Sequence, residues 1–347
     1  MSLIGHIYDL SKPPLIVAEL SGNHHQCFDT AKRIIKLAAE NGADAVKIQS
    51  YTADSITLPS KSEEFLLTTG LWKGRNLYEL YQEASTPYEW HAPLSKYAQS
   101  IGIPLFSTPF DEAAVEFLES TINPEIYKIS SFEVTHTPLL KRVAETGKPV
   151  VMSTGMANEY EIHDGVKTLK SNGCQDIVLL KCVSEYPSAN DGFNLRSMTT
   201  LANLYNTQIG LSDHTLTNEV AMGATAMGAR IIEKHFTNSR EEGGIDAAFS
   251  LEPCELGKLV SQVHALHTAL GSDKIGETKQ DAHQLQFRRS IYVSKTIKKG
   301  EILSDKNLKI IRPSLGLPPK YWGEIIGKRA SKELIEYSPL KLGDWVN

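Results

Sequence analysis

Cysteine is scarce in this chain. Cys27, Cys174, Cys182 and Cys254 are its only four among 347 residues, and none forms a C-x-x-C pair. That usage fits a reducing cytosol better than a disulfide framework or a structural zinc site. No run reaches the roughly 18 uncharged apolar residues that a membrane span requires, so no membrane partner is expected. The first ten residues carry His6 and Asp9 and no apolar stretch leading into small residues, so no secretory signal is expected. A dinucleotide fingerprint is missing too: the first strand-like run leads into Ser21-Gly22-Asn23-His24-His25 rather than G-x-G-x-x-G. The excess of one charge sign is small, 36 Lys+Arg against 41 Asp+Glu for a net of −5, but it is unevenly spread. Residues 288–347 carry a net +7 and the remainder −12, which suggests separate modules. The basic residues are dispersed and no stacking motif accompanies them, so nucleic acid is not an expected partner. A solvated surface, or a module that helps to hold a small anion, remains.

What is present is a repeating strand–helix unit. Short apolar, β-rich runs occupy residues 15–20, 45–50, 104–109, 126–131, 149–154, 176–182, 208–212 and 230–236, with amphipathic stretches such as 30–40, 137–145 and 159–170 between them. The runs are continuous rather than alternating, as expected for parallel strands covered on both faces. Eight such units predict an α/β fold, a closed (β/α)8 TIM barrel, in preference to an open doubly wound sheet. One connection, residues 51–102, is about twice the usual length and rich in aromatics from Trp72 to Trp90. Connections of this length tend to be functional. The alternative is that this one only adds a helix, Leu77–Ala84, covering the barrel's side.

In such a barrel the reactive face lies at the C-terminal strand ends. All eight predicted ends are polar, among them Glu19, Lys47, Thr108, Lys128, Ser131, Glu133, Ser153, Lys181, Tyr186, Ser212, Asp213, His214, Glu233, Lys234 and His235. An isolated buried ammonium is costly, so each of Lys47, Lys128 and Lys181 needs an acidic partner, a lowered pKa or an anionic ligand. Lys47 and Lys128 together, with hydroxyls between them, favour a phosphate or carboxylate, although one lysine could instead form a Schiff base. His214 and His235 end the last two strands, and neighbouring strands lie about 4.8 Å apart. Two imidazoles there suit a divalent cation. His24, His25, His91, His136 and His163 read mostly as surface or loop residues, and Cys182 as a packing thiol.

The runs IVAELSGNH, GADAVKIQSYTADSITL, YKISSFE, STGM, CVSEYP, GLSDHT and IIEKHF, in that order, closely resemble the sialic acid synthase family. The tail FRRSIYVSKTIKKGEILSDKNLKIIRPSLG resembles that family's small antifreeze-like (SAF, β-clip) domain. The insert LPSKSEEFLLTTGLWKGRNLYELYQEASTPYEWH is similar to the family's pseudaminic acid branch. The resemblance implies a barrel over residues 1–275, a linker over 276–287 and a SAF domain over 288–347. It implies condensation of phosphoenolpyruvate with an N-acylated amino sugar, here 2,4-diacetamido-2,4,6-trideoxy-L-altrose, to give pseudaminic acid, and with that sugar Trp72 and neighbouring insert residues are expected to form an apolar pocket for its 6-deoxy methyl. The alternative is an N-acetylneuraminate or legionaminic acid synthase. N-acetylneuraminate synthases tend to carry Asn where this chain has Ser184, which argues against unmodified N-acetylmannosamine. By the same resemblance Lys47, Thr108, Lys128, Ser131, Ser153 and Ser212 hold phosphoenolpyruvate. Glu133, Tyr186 and Asp246 belong to the sugar site, and Glu19 to the reacting sugar carbon. His214 and His235 ligate a divalent cation (Mn2+, Mg2+ or Co2+), and Arg312 enters the partner subunit's barrel in a domain-swapped homodimer.

Overall fold

The computed structural model describes residues 2–346. They divide into two compact units, Met1–Gly271 and Ser272–Asn347. In the first, eight parallel strands close on themselves in sequence order: β1 (Leu15–Glu19), β2 (Ala45–Ser50), β3 (Leu105–Pro109), β4 (Tyr127–Ile129), β5 (Val150–Ser153), β6 (Ile177–Cys182), β7 (Gln208–Asp213) and β8 (Ile231–His235). Each falls within a residue or two of its expected run. Among the described residues no helix is long and apolar enough to cross a membrane.

Successive side chains of a strand point to opposite faces, and two cores sort them. Leu15, Val17, Phe106, Val151, Val178 and Leu180 fill the barrel's interior, joined by Leu3 and Ile7 of the helix Leu3–Tyr8. Ile16, Val46, Ile48, Leu211 and Ile232 face out against the helical layer. Closure is tight at Gly210, where a Cβ would meet Leu180 Cδ2 at 2.5 Å and the Ile231 carbonyl at 2.6 Å. Because both faces are buried, the strand sequences carry little alternation.

The second unit has its own core of Ile291, Val293, Ile297, Leu303, Leu308, Ile325 and Leu340. It holds two antiparallel pairs, β9 (Ser290–Val293) with β10 (Leu308–Ile311), and β11 (Arg329–Ala330) with β12 (Trp345–Val346). Residues 276–287, expected as a linker, group with this unit. There the Ser314 N–H donates to the Gln286 carbonyl at 3.0 Å and its hydroxyl to the Leu285 carbonyl at 3.0 Å.

Candidate active site

Strand parity selects which polar ends reach the barrel's mouth. Inward positions continue the interior core upward, so Lys47 follows Ala45, Lys128 follows Ile126, Ser153 follows Val151, Cys182 follows Leu180, and Glu233 and His235 follow Ile231. They converge on a cavity of about 410 Å³, whose lining includes Lys47, Lys128, Ser131, Glu133, Ser153, Tyr186, Ser212, His214, Glu233, His235 and Asp246. Ten of the thirteen residues expected at the site are therefore gathered here. Glu19 and Thr108 support the lining through Lys47, which forms an ion pair with Glu19 and donates to Thr108 Oγ1 at 3.0 Å. Arg312 lies in the second unit, beside Arg288 and Arg289.

Other expectations fail on parity. Lys181 points outward from β6, is half-buried and is not among the cavity residues. Lys234 and Asp213 also face outward and pair at 2.8 Å. Lys234 donates further to the carbonyls of Thr215, at 2.6 Å, and Thr217, at 3.0 Å. The ammonium is complete without a ligand. Away from the strands, His24 lies in a loop as expected but is fully buried, and His91 is buried within the helix Tyr88–Ser100.

The cavity's buried charges are coupled. Lys47 and Lys128 are only 3% and 2% exposed. Both meet Glu233 Oε1, at 3.7 and 3.6 Å respectively. Burial opposes ionisation of Glu233, but Lys128 and Lys47 outweigh it and hold the carboxyl below its usual range. At Glu19 burial wins over Lys47, so its carboxyl is raised. At Lys128 burial, reinforced by Lys47, outweighs Glu233 and lowers the ammonium. Two cations thus share one firmly ionised acid and one acid that burial inclines toward its neutral form. Such a site has electrostatic room for an incoming anion. Glu233 was visible at a strand end but not singled out. Its position two residues before His235 on one strand was the available signal, since i and i+2 share a face.

Hydroxyls complete the cradle. Ser131 Oγ accepts the Gly155 N–H at 3.0 Å, and a side chain at Gly155 would collide with Ser184 Oγ and Ser131 Oγ. Ser153 Oγ is buried without a hydrogen-bond partner. Ser212 Oγ donates to Glu233 Oε1 at 3.4 Å. Asp246 accepts the Ser21 hydroxyl, and Gln49 donates to Ser21 Oγ and Glu19 Oε1 at 3.1 Å each. Glu133 accepts from Ser130, and burial raises its carboxyl. Cys182, read from sequence as a packing thiol, lines the cavity beside His214 of the neighbouring strand end. Burial would raise that thiol, but His214, Ser131 and Lys128 hold it at about 7.

The two imidazoles come together, with ring centroids 5.4 Å apart in edge-to-face geometry. His214 Nδ1 bonds the Val183 carbonyl at 2.8 Å, and the ring also hydrogen-bonds the Cys182 thiol, so a metal ion would have to displace that contact to reach Nε2. His235 Nδ1 is buried with no hydrogen-bond partner, 3.7 Å from Asp246 Oδ2. Burial, then His214 and the lysines, hold His235 well below the usual imidazole range, hence neutral. A neutral imidazole with an orphaned nitrogen is the donor a divalent ion needs, so His235 fits one. At His214 burial is outweighed by Cys182 and the Val183 carbonyl, which raise the ring, so it would have to give up its proton to join. Among the described residues no group of three or more His, Cys, Asp or Glu side chains forms a ready-made metal cage.

Fold and cavity together define a parallel-barrel protein with an anion-receptive mouth. Residues 34–275 match the NeuB family and residues 288–344 the SAF domain. The chain belongs to the NeuB family. It is 42% identical over 338 residues to the pseudaminic acid synthase of Campylobacter jejuni, covering 97% of this chain and 98% of that protein. The pseudaminic acid synthase of Helicobacter pylori is likewise 42% identical over 334 residues, covering 96% and 98%. Among solved structures, the N-acetylneuraminic acid (sialic acid) synthetase of Leptospira borgpetersenii, in complex with citrate, matches with a TM-score of 0.71. Its identity is 32%, over 80% of this chain and 92% of that one.

Proposed function

We propose that the chain is a pseudaminic acid synthase, condensing phosphoenolpyruvate and water with 2,4-diacetamido-2,4,6-trideoxy-L-altrose to give pseudaminic acid and phosphate. The observation that carries this reading is the pair of buried ammonium groups, Lys47 and Lys128, turned into one cavity, where both meet Glu233 Oε1. Likeness to two pseudaminic acid synthases over nearly the whole chain supports the choice of sugar.

In this reading carbon 3 of phosphoenolpyruvate bonds to the aldehyde carbon of the open-chain sugar, and the aldehyde oxygen takes a proton. Water adds at carbon 2, and the bond between carbon 2 and the phosphate oxygen breaks. Lys47, Lys128 and the hydroxyls of Ser131, Ser153 and Ser212 hold the carboxylate and phosphate throughout, so their contribution is positioning and electrostatic preorganisation. A carboxylate such as Glu19, ion-paired with Lys47, would steer water and exchange a proton. Glu133, Tyr186 and Asp246 face the sugar. A divalent ion (Mn2+, Mg2+ or Co2+) on His214 and His235 would supply Lewis-acid polarisation of the aldehyde oxygen. Arg312 of a second copy, in a domain-swapped homodimer, would complete the anion site.

The test is phosphate release from phosphoenolpyruvate across a panel of acylated amino sugars, with and without EDTA. Fastest release with the diacetamido-trideoxy-altrose, lost on chelation, is expected. No release with any sugar sinks the reading.

A further inference from the structure

The cavity has two unlike linings. Strand ends contribute its charged groups, whereas Ile56, Leu67, Trp72, Leu77 and Leu80 contribute an apolar wall from the long β2–β3 connection. The helix Leu77–Ala84 therefore does not merely cover the barrel's side. The wall is built rather than draped. The Leu67 N–H donates to the Arg75 carbonyl at 3.0 Å and the Gly74 N–H to the Leu67 carbonyl at 2.7 Å, closing a loop with Trp72 near its tip. That loop turns at Gly70 and Gly74, whose φ angles of +74° and +86° favour glycine. Trp72 is latched to the barrel: its indole N–H donates to the Ile245 carbonyl at 2.9 Å. Its ring lies 5.7 Å from Tyr186 and 6.2 Å from Phe249.

The latch has a chemical consequence. The indole's one donor is already engaged, and the aliphatic side chains around it have no polar atom. A substrate hydroxyl pressed against this wall would leave water without gaining a partner there. A methyl group in the same place would gain burial instead. We propose that residues 56–80 are the specificity wall of the site, taking the terminal methyl of a 6-deoxy acceptor and disfavouring a terminal hydroxymethyl. This inference rests on the condensation proposed above. Tyr51 and Tyr81, whose rings meet edge-on at 6.0 Å, bring phenols to the same cavity, so the discrimination is incomplete.

The experiment compares kcat/KM, by phosphate release, for 2,4-diacetamido-2,4,6-trideoxy-L-altrose and its 6-hydroxy counterpart. The wild-type protein should prefer the 6-deoxy sugar by about 100-fold, the scale on which an apolar pocket rejects an added hydroxyl. Leu67→Asn, at a half-buried loop position, offers the missing hydrogen-bond partner and should cut that ratio by about tenfold or more. Trp72→Ala should cut it as well, whereas Trp72→Phe, which keeps an apolar ring and loses only the latch, should retain most of it. Equal turnover of the two sugars by the wild-type protein overturns the wall, as does a ratio unmoved in both Leu67→Asn and Trp72→Ala. Phosphate release with neither sugar fails differently: it removes the condensation reading, and the wall with it.

Discussion

Lys128 and Lys234 are both buried ammonium groups at strand ends of one barrel, and they have opposite fates. Lys234 faces outward, where Asp213 Oδ2 and the carbonyls of Thr215 and Thr217 accept its three protons. Lys128 faces inward, meets Glu233 at 3.6 Å, and otherwise looks into the cavity. An ammonium completed by the protein is part of the scaffold, whereas one left short of acceptors points to a ligand that completes it. The same contrast separates imidazoles. His91 has Ser50 Oγ at 2.7 Å and the Pro87 carbonyl at 3.2 Å, whereas His235 Nδ1 has no hydrogen-bond partner.

The sharpest way to break the contrast is to exchange the two lysines' expected phenotypes. Lys128→Met should lower kcat/KM for phosphate release by about 100- to 1,000-fold, the scale of removing one preorganised donor, and should leave a folded chain. Lys234→Met strands Asp213 in the interior and should cost about 3–5 kcal/mol of stability, read as a lower urea midpoint, with less effect on turnover by the molecules that remain folded. A destabilised but active Lys128→Met, together with a stable but inactive Lys234→Met, would reverse the assignment. His235→Ala comes next. Loss of an outer-shell partner alone costs about 10- to 100-fold in metal affinity, so removing a direct ligand should weaken Mn2+ binding at least that much in a calorimetric titration. Unchanged Mn2+ binding would take the ion away from this imidazole.

Much of this contrast lies beyond a linear reading, for a physical reason. The eight strands were legible because strands covered on both faces are written as unbroken apolar runs. That same continuity hides which residue of a strand end faces in. Lys47 and Lys128 could not be told from Lys181 by their neighbours, and Lys181 faces outward. Glu233, Lys234 and His235 are adjacent in sequence, yet the middle one belongs to a different side of the barrel. Cys182 and His214 meet only because β6 and β7 pair, with Cys182 level with Ser212. Trp72 was conspicuous as an aromatic in an overlong connection, but its latch to the Ile245 carbonyl spans 173 positions in sequence. The burial of His24 and His91 depended on packing no local pattern encodes: His24 lies edge-on to Trp90 at 5.4 Å, and His91 contacts Phe117 at 5.1 Å.

Those two histidines give the contrast its mildest test, because a protein-satisfied neutral imidazole should report on stability rather than on ligand binding. His24 Nδ1 accepts the Gln26 N–H at 3.1 Å, so the folded chain favours its neutral ring. Burial, as the leading cause, holds His24 and His91 at about 4, against about 6.5 for an unfolded histidine. Above pH 6.5 both rings are neutral whether the chain is folded or not, and they add no pH dependence. As the pH falls from 6.5 toward 4 the unfolded chain takes up protons that the folded chain refuses, so stability drops, by roughly 2–3 kcal/mol for each ring. Below about 4 their contribution levels off. Carboxylates elsewhere also titrate near the lower end of that window, so the measurement is a difference. Urea midpoints at pH 7, 5.5 and 4.5 should decline more steeply for the wild-type chain than for His91→Gln, whose amide keeps hydrogen-bonding capacity for Ser50 and cannot be protonated in this range. Parallel slopes would mean that His91 takes its proton while folded, and that satisfaction by the surrounding protein does not set the charge of a buried ring here.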